Sequence, residues 1–153
     1  MLKISLLEFF LRAIPETFLM VLIVHALSRM KINFKKYLLS SSIFSVMVYL
    51  IRLLPIQLGV HSILNLIVLI VLTVLINKVD IIKSTSSGLI AFIFTFLLEG
   101  ANFYFIQSVL KKDINEVMTN PVSKVLTGLP SLILFGIFTI IYYIILLKQN
   151  KLR

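Results

Sequence analysis

Residues 4–27 read Ile4-Ser5-Leu6-Leu7-Glu8-Phe9-Phe10-Leu11-Arg12-Ala13-Ile14-Pro15-Glu16-Thr17-Phe18-Leu19-Met20-Val21-Leu22-Ile23-Val24-His25-Ala26-Leu27. The stretch is long and apolar enough to cross a bilayer, yet it carries Glu8, Arg12, Glu16 and His25. The three charges follow one another at steps of four residues, so on a helix they stack along one face. Lipid does not solvate such a stripe, and the helix must turn it toward other helices or toward water. The rest of the chain reads as the company this helix keeps.

Composition agrees. Apolar residues make up 59% of the chain, charged residues only 14%, and the mean hydropathy is +1.08. A soluble domain of this size has too little interior to hide that much apolar side chain, so residues 1–153 are expected to form a single transmembrane domain. Cysteine is absent, which excludes disulfides, thiolate metal sites and a cysteine nucleophile. The net charge of +9 lies mostly between apolar runs, where topology and anionic headgroups explain it better than nucleic acid does. The start is not a cleavable signal: one Lys3, a long charge-interrupted apolar run, and no A-x-A site. Lipidation motifs are missing at both ends.

Five apolar runs are separated by charges and by Pro or Gly, at about 4–27, 37–54, 60–77, 88–110 and 129–147. Pro15 is expected to kink the first near its middle. The fold expected is therefore an all-α polytopic membrane protein, a bundle of about five transmembrane helices. Nine basic residues (Arg29, Lys31, Lys35, Lys36, Lys78, Lys83, Lys148, Lys151 and Arg153) flank one side of the bundle. Lys3, Lys111, Lys112 and Lys124 flank the other, joined by Arg12 and Arg52 near its surface. The excess of positive charge inside predicts an N-out, C-in topology.

Lys111 to Gly128 is the longest connection. Ile114, Val117, Met118, Val122, Val125 and Leu126 recur in it at near-helical spacing, interrupted at Asn120-Pro121. Two readings stand: an amphipathic segment on the outer interface, or an ordinary loop with scattered apolar residues. No internal repeat is visible, and five spans do not divide into equal halves, against inverted-repeat transporter folds.

With this topology most intramembrane polar residues fall in the outer half of the bundle, His25 excepted. The expected ligand-binding set is Glu8, Arg12, Glu16, Arg52, His61, Asn65, Glu99, Asn102 and Gln107. Glu16 lies about 18 Å down the first helix at about 1.5 Å rise per residue, close to the midplane. An ionised group there costs at least about 2.5 kcal/mol unless it finds a partner or water. Arg12 is the expected partner within the first helix and Arg52 the expected partner between helices. One reading makes the cluster an outward-open cavity for a small ligand, a peptide end or an ion. The other makes it helix glue, with Glu8, Lys3 and Arg52 shallow enough to snorkel. Gly100 is expected to permit close helix approach, and Ser40, Ser41, Ser42 and Ser45 to form a small-residue packing face.

Catalytic motifs are missing: no H-E-x-x-H, G-x-S-x-G, Walker A or G-x-G-x-x-G occurs. Glu8-x-x-x-Arg12 lacks the doubled glutamate of the CAAX-type membrane proteases, and quorum-sensing peptide-processing enzymes need a Cys with a His. An enzyme, a cofactor and a metal site are therefore not expected.

Ile14-Pro15-Glu16-Thr17-Phe18, Lys35-Lys36-Tyr37, Tyr49–Pro55 up to His61, and Leu98-Glu99-Gly100 together resemble the membrane-spanning sensor segments of GHKL-type histidine kinases from low-GC Gram-positive bacteria. The resemblance implies an outward-facing detector in a bacterial plasma membrane. It departs from that family in having only about six residues after the last span and hence no kinase domain. Such a chain would act through a membrane or cytoplasmic protein partner, or as a homo-oligomer. The alternatives are a small transport component, such as the substrate-binding subunits of ECF transporters, and a purely structural interaction protein. The ECF subunits typically have six spans and an Ala-rich first helix, whereas only Ala13 and Ala26 occur here.

Overall fold

The computed structural model describes residues 6–111 and 113–152, and within them the chain is helical without a strand. Lys3, the first two positions of the expected first span, Lys112 and Arg153 lie outside the described residues. The first helix, α1, covers residues 6–27 in three consecutive parts: Leu6–Glu8 and Ile14–Leu27 are α-helical, and Phe9–Ala13 between them is a π-helical turn. There the Ile14 N–H donates to the Phe9 carbonyl, one residue further back than in an α-helix. Pro15 accounts for the wide turn. It offers no N–H, and its ring would crowd the Leu11 carbonyl in a regular α-turn.

Five more helices follow: α2 (Phe34–Leu53), α3 (Leu58–Leu75), α4 (Ile81–Ser108), the short α5 (Ile114–Thr119) and α6 (Pro121–Lys148). Their starts are written in capping side chains. Asp80 accepts from Ile82 N–H and Lys83 N–H, Asp113 from Asn115 N–H, and Asn120 from Val122 N–H. Pro121, at the first position of α6, has no N–H to leave unpaired.

These caps explain where the helices depart from the apolar runs. α4 begins at Ile81 rather than Gly88, and α6 at Pro121 rather than Leu129. A greasy run stops where lipid or core stops, while a helix stops at its cap. The polar turns Ser84–Ser87 and Ser123–Gly128 are therefore helical too. For the expected long connection the break at Asn120-Pro121 is present. Residues 114–119 form a helical turn and a half, and the remainder belongs to the last helix.

α1 is the axis of the bundle, in contact with α2, α3, α4 and α6. Burial runs round most of its circumference: Thr17, Met20, Val21, Ile23, Val24, His25 and Ala26 are all buried. Around it pack Phe44 and Val48 of α2, Leu69 of α3, Ala91 of α4 and Phe135 of α6. Ser40, Ser41 and Ser45 are buried against this axis, and the Ser45 and Thr17 hydroxyls share a hydrogen bond, while Ser42 is exposed. Toward the other end the hydroxyl pairs Ser28–Ser87 and Thr73–Ser84 tie α4 to its neighbours.

The outward faces carry the opposite of a soluble surface. Leu50, Leu75, Ile93, Leu97, Ile133 and Ile141 are among the many large apolar side chains left exposed. Three helices, Phe34–Leu53, Ile81–Ser108 and Val122–Lys148, are long and apolar enough to cross a membrane.

Candidate functional site

The charged stripe of α1 faces a cleft at one end of the bundle. The cleft has a volume of about 350 Å³, and α1, α2, α3, α4 and α6 each contribute to its wall. Glu8, Arg12 and Glu16 come from the first half of α1, and Arg52 from the last turn of α2. His61 and Asn65 come from the start of α3, Glu99 from the second half of α4, and Lys124 from the first turn of α6. Met20, Phe92, Phe96 and Phe103 close it with apolar and aromatic surface.

Seven of the nine residues expected from sequence meet there: Glu8, Arg12, Glu16, Arg52, His61, Asn65 and Glu99. Asn102 lies beside the cleft, where its amide donates to the Thr127 carbonyl and joins α4 to α6. Gln107 is exposed further along α4, apart from the cluster.

The pairing differs from the sequence expectation. Arg12 makes no direct hydrogen bond to Glu16 four residues on, although it is the cation that acts most strongly on that carboxyl; its Nη2 donates to Glu99 Oε1 at 2.8 Å, and both side chains are part-buried. Arg12 is admitted by Gly128 of α6, where an added Cβ would stand 3.0 Å from the guanidinium carbon. Gly100, beside Glu99, has nothing within 4 Å of the position a Cβ would take, so it is not a point of close helix approach.

Glu8 does not reach out to solvent. It is only 2% exposed, and Lys124 Nζ donates to it at 3.2 Å while Arg52 Nη1 stands 4.0 Å from its Oε1. Lys124 was absent from the expected site because it precedes the last apolar run. The signal that could have found it is the Asn120-Pro121 start, which places Lys124 one helical turn inside α6.

Glu16 is then left over. Among the described residues it has no hydrogen-bond or ion-pair partner, although it lines the cleft at the level of Thr95 and Glu99. In the same cleft, His61 Nδ1 and Asn65 Oδ1 are buried without a hydrogen-bond partner. Buried polar atoms of this kind are uncommon in native structures, and a cleft that sets two of them opposite a carboxylate with no direct partner is chemically open to a ligand. Three carboxylates and three fixed cations make the lining nearly neutral overall, so binding there depends on where each charge sits. No three His, Asp or Glu side chains among the described residues are grouped closely enough to hold a metal ion.

His25, the one polar residue expected at the far end, is buried against α1 itself. Its Nδ1 lies 2.8 Å from the Val21 carbonyl, and its ring meets Tyr37 edge-on. It takes no part in the cleft.

The fold and site thus define a helical protein with three helices, among the described residues, long and apolar enough to cross a membrane, and with a polar cleft at one end. Comparison with protein-family models, with curated proteins and with solved structures gives no match. The functional reading therefore rests on the cleft.

Proposed function

We propose that the chain is a five-span receptor or accessory subunit of a bacterial plasma membrane. Its N-terminus lies outside and its C-terminus inside. It binds a small solute bearing a cationic group, such as an amine or a peptide end, in the cleft and acts through a protein partner. The observation that carries the reading is Glu16. Glu8 and Glu99 are each in direct contact with a cation of the protein, whereas Glu16 lines the cavity without a direct hydrogen bond or ion pair among the described residues, under only the longer-range pull of Arg12 and Arg52, beside the unpartnered atoms of His61 and Asn65. Phe92, Phe96 and Phe103 add faces that attract a cation electrostatically.

Two further features support the topology. α1 is continuous over residues 6–27, and α3 spans about 27 Å at about 1.5 Å per residue, so both are near the length of a hydrocarbon core. The cleft gathers the start of α1, the end of α2, the start of α3, the later half of α4 and the start of α6. Helices that alternate in direction across a bilayer produce that pattern. The resemblance to kinase sensor segments fits an outward cleft whose occupancy is relayed to a separate protein.

The test uses the full chain in lipid nanodiscs. Ethylamine, glycine and triglycine are titrated while the melting temperature is followed, and cross-linked partners from native membranes are identified by mass spectrometry. At least one cationic solute is expected to raise the melting temperature of the wild type but not of Glu16→Gln, with the solute-free variants melting alike. A wild type indifferent to every solute, paired with a Glu16→Gln chain that melts several degrees lower, would show that the cluster only holds helices together.

A further inference from the structure

At the end of the bundle opposite the cleft, a groove of about 730 Å³ opens between the end of α1, the α3–α4 connection and the residues after α6. Ser28, Arg29, Lys78, Asp80, Lys83 and Lys151 line it. Four cations therefore face one carboxylate, and among the described residues none of the four makes an ion pair. The carboxylate offsets one of them in net charge and leaves an excess of three cations, and one of its oxygens is already engaged. Asp80 is turned to the first turn of α4, where it accepts from Ile82 N–H at 3.0 Å and Lys83 N–H at 3.4 Å.

The cations are also held on fixed backbone. Arg29 and Lys78 each sit just past a helix end in the left-handed region, with φ of 56° and 59°, where glycine is the favoured residue. The chain places charged side chains there instead. Lys151 follows Asn150, also left-handed, and donates its N–H to the Leu146 carbonyl at 3.1 Å. The next residue, Leu152, is buried against Ala26 of α1 and pins the tail beside Arg29.

We propose that this groove is a binding site for a phosphate group. A guanidinium fork and three ammonium groups converging on one opening suit several anionic oxygens on one centre better than a single carboxylate. The phosphate can belong to an anionic lipid headgroup reaching in from the membrane surface or to a soluble phosphate compound. The plain alternative is that these cations only follow the topology rule for basic residues on one side of a membrane. Under that alternative Lys35 and Lys36, exposed at the start of α2 at the same end, would be equivalent to them.

The test compares the full-length wild type with Arg29→Gly/Lys78→Gly and with Lys35→Gln/Lys36→Gln. The glycine pair removes two charges while relieving the left-handed backbone, so the fold is expected to survive. Arg29→Asn/Lys78→Asn is the substitute if its melting temperature falls. In mixed phosphatidylcholine and phosphatidylglycerol nanodiscs, phosphatidylglycerol retained by each chain is counted by native mass spectrometry. In pure phosphatidylcholine nanodiscs, inorganic phosphate is titrated calorimetrically. A loss of about tenfold in the glycine variant, with the Lys35/Lys36 variant like the wild type, is expected in one arm. Loss in the lipid arm assigns the groove to a headgroup, and loss in the phosphate arm assigns it to a soluble ligand. Equal binding by wild type and glycine variant in both arms overturns the proposal. So does an equal loss in the Lys35/Lys36 variant.

Discussion

Arg12 Nη2 and Glu99 Oε1 stand 2.8 Å apart, joining the first helix to the fourth across 87 positions of sequence. The pair crosses the wall of the cleft, with side-chain exposures of 15% and 28%. Removing either partner strands the other in a poorly hydrated place. Glu99→Gln is expected to cost about 2 kcal/mol, and Arg12→Gln a similar amount. The double variant should lose less than the sum, which reversible unfolding in mixed micelles would measure. Strict additivity would mean that the two groups do not stabilise one another.

Glu8 and Glu16 lie eight residues apart on one stripe but should respond differently to amidation. Glu8 is buried and engaged by Lys124 and Arg52, so Glu8→Gln is expected to destabilise by about 3 kcal/mol. Glu16 has no direct hydrogen bond or ion pair to lose and feels Arg12 and Arg52 only at longer range, so Glu16→Gln should leave stability nearly unchanged. Parallel melts of the two variants distinguish a carboxylate that holds the bundle from one that is kept for something else.

Gly128→Ala should be felt through Arg12. An added methyl would meet the guanidinium at 3.0 Å, and that group is tethered to Glu99. A loss of about 1–2 kcal/mol is expected, shrinking when Arg12 is first shortened to Ala. Gly100→Ala should instead be neutral or stabilising by up to about 1 kcal/mol, because its methyl enters open space on a helix. The two substitutions are chemically identical, so their difference isolates the close approach of α6.

The absence of cysteine makes topology directly measurable. Single cysteines at Lys111, beyond the cleft end of α4, and at Lys35, at the start of α2, are exposed reporters at opposite ends of the bundle. In intact cells a membrane-impermeant maleimide is expected to label Lys111→Cys and to spare Lys35→Cys. The reverse pattern would invert the proposed orientation and place the cleft inside.

The presence of helices long and apolar enough to cross a membrane, the all-helical fold and the facing of Glu8, Arg12 and Glu16 were legible in the chain alone. Each depends on local quantities: apolar content, run length and a spacing of four residues. Even the break at Asn120-Pro121 is a local matter, since a cap and a proline act on their own turn. The partners were not legible. A periodic pattern says which face a charge occupies but not what stands opposite, which depends on how deeply neighbouring helices slide past one another. The helix start at Asn120, outside the apolar run, carried Lys124 into the cleft. The small Gly128 let Arg12 reach past α6 to Glu99, leaving Glu16 without a direct ion pair. Sequence placed the charges on one side of one helix. Packing between helices decided which of them were satisfied, because an ion pair forms over about 3–4 Å and only tertiary contact sets distances on that scale.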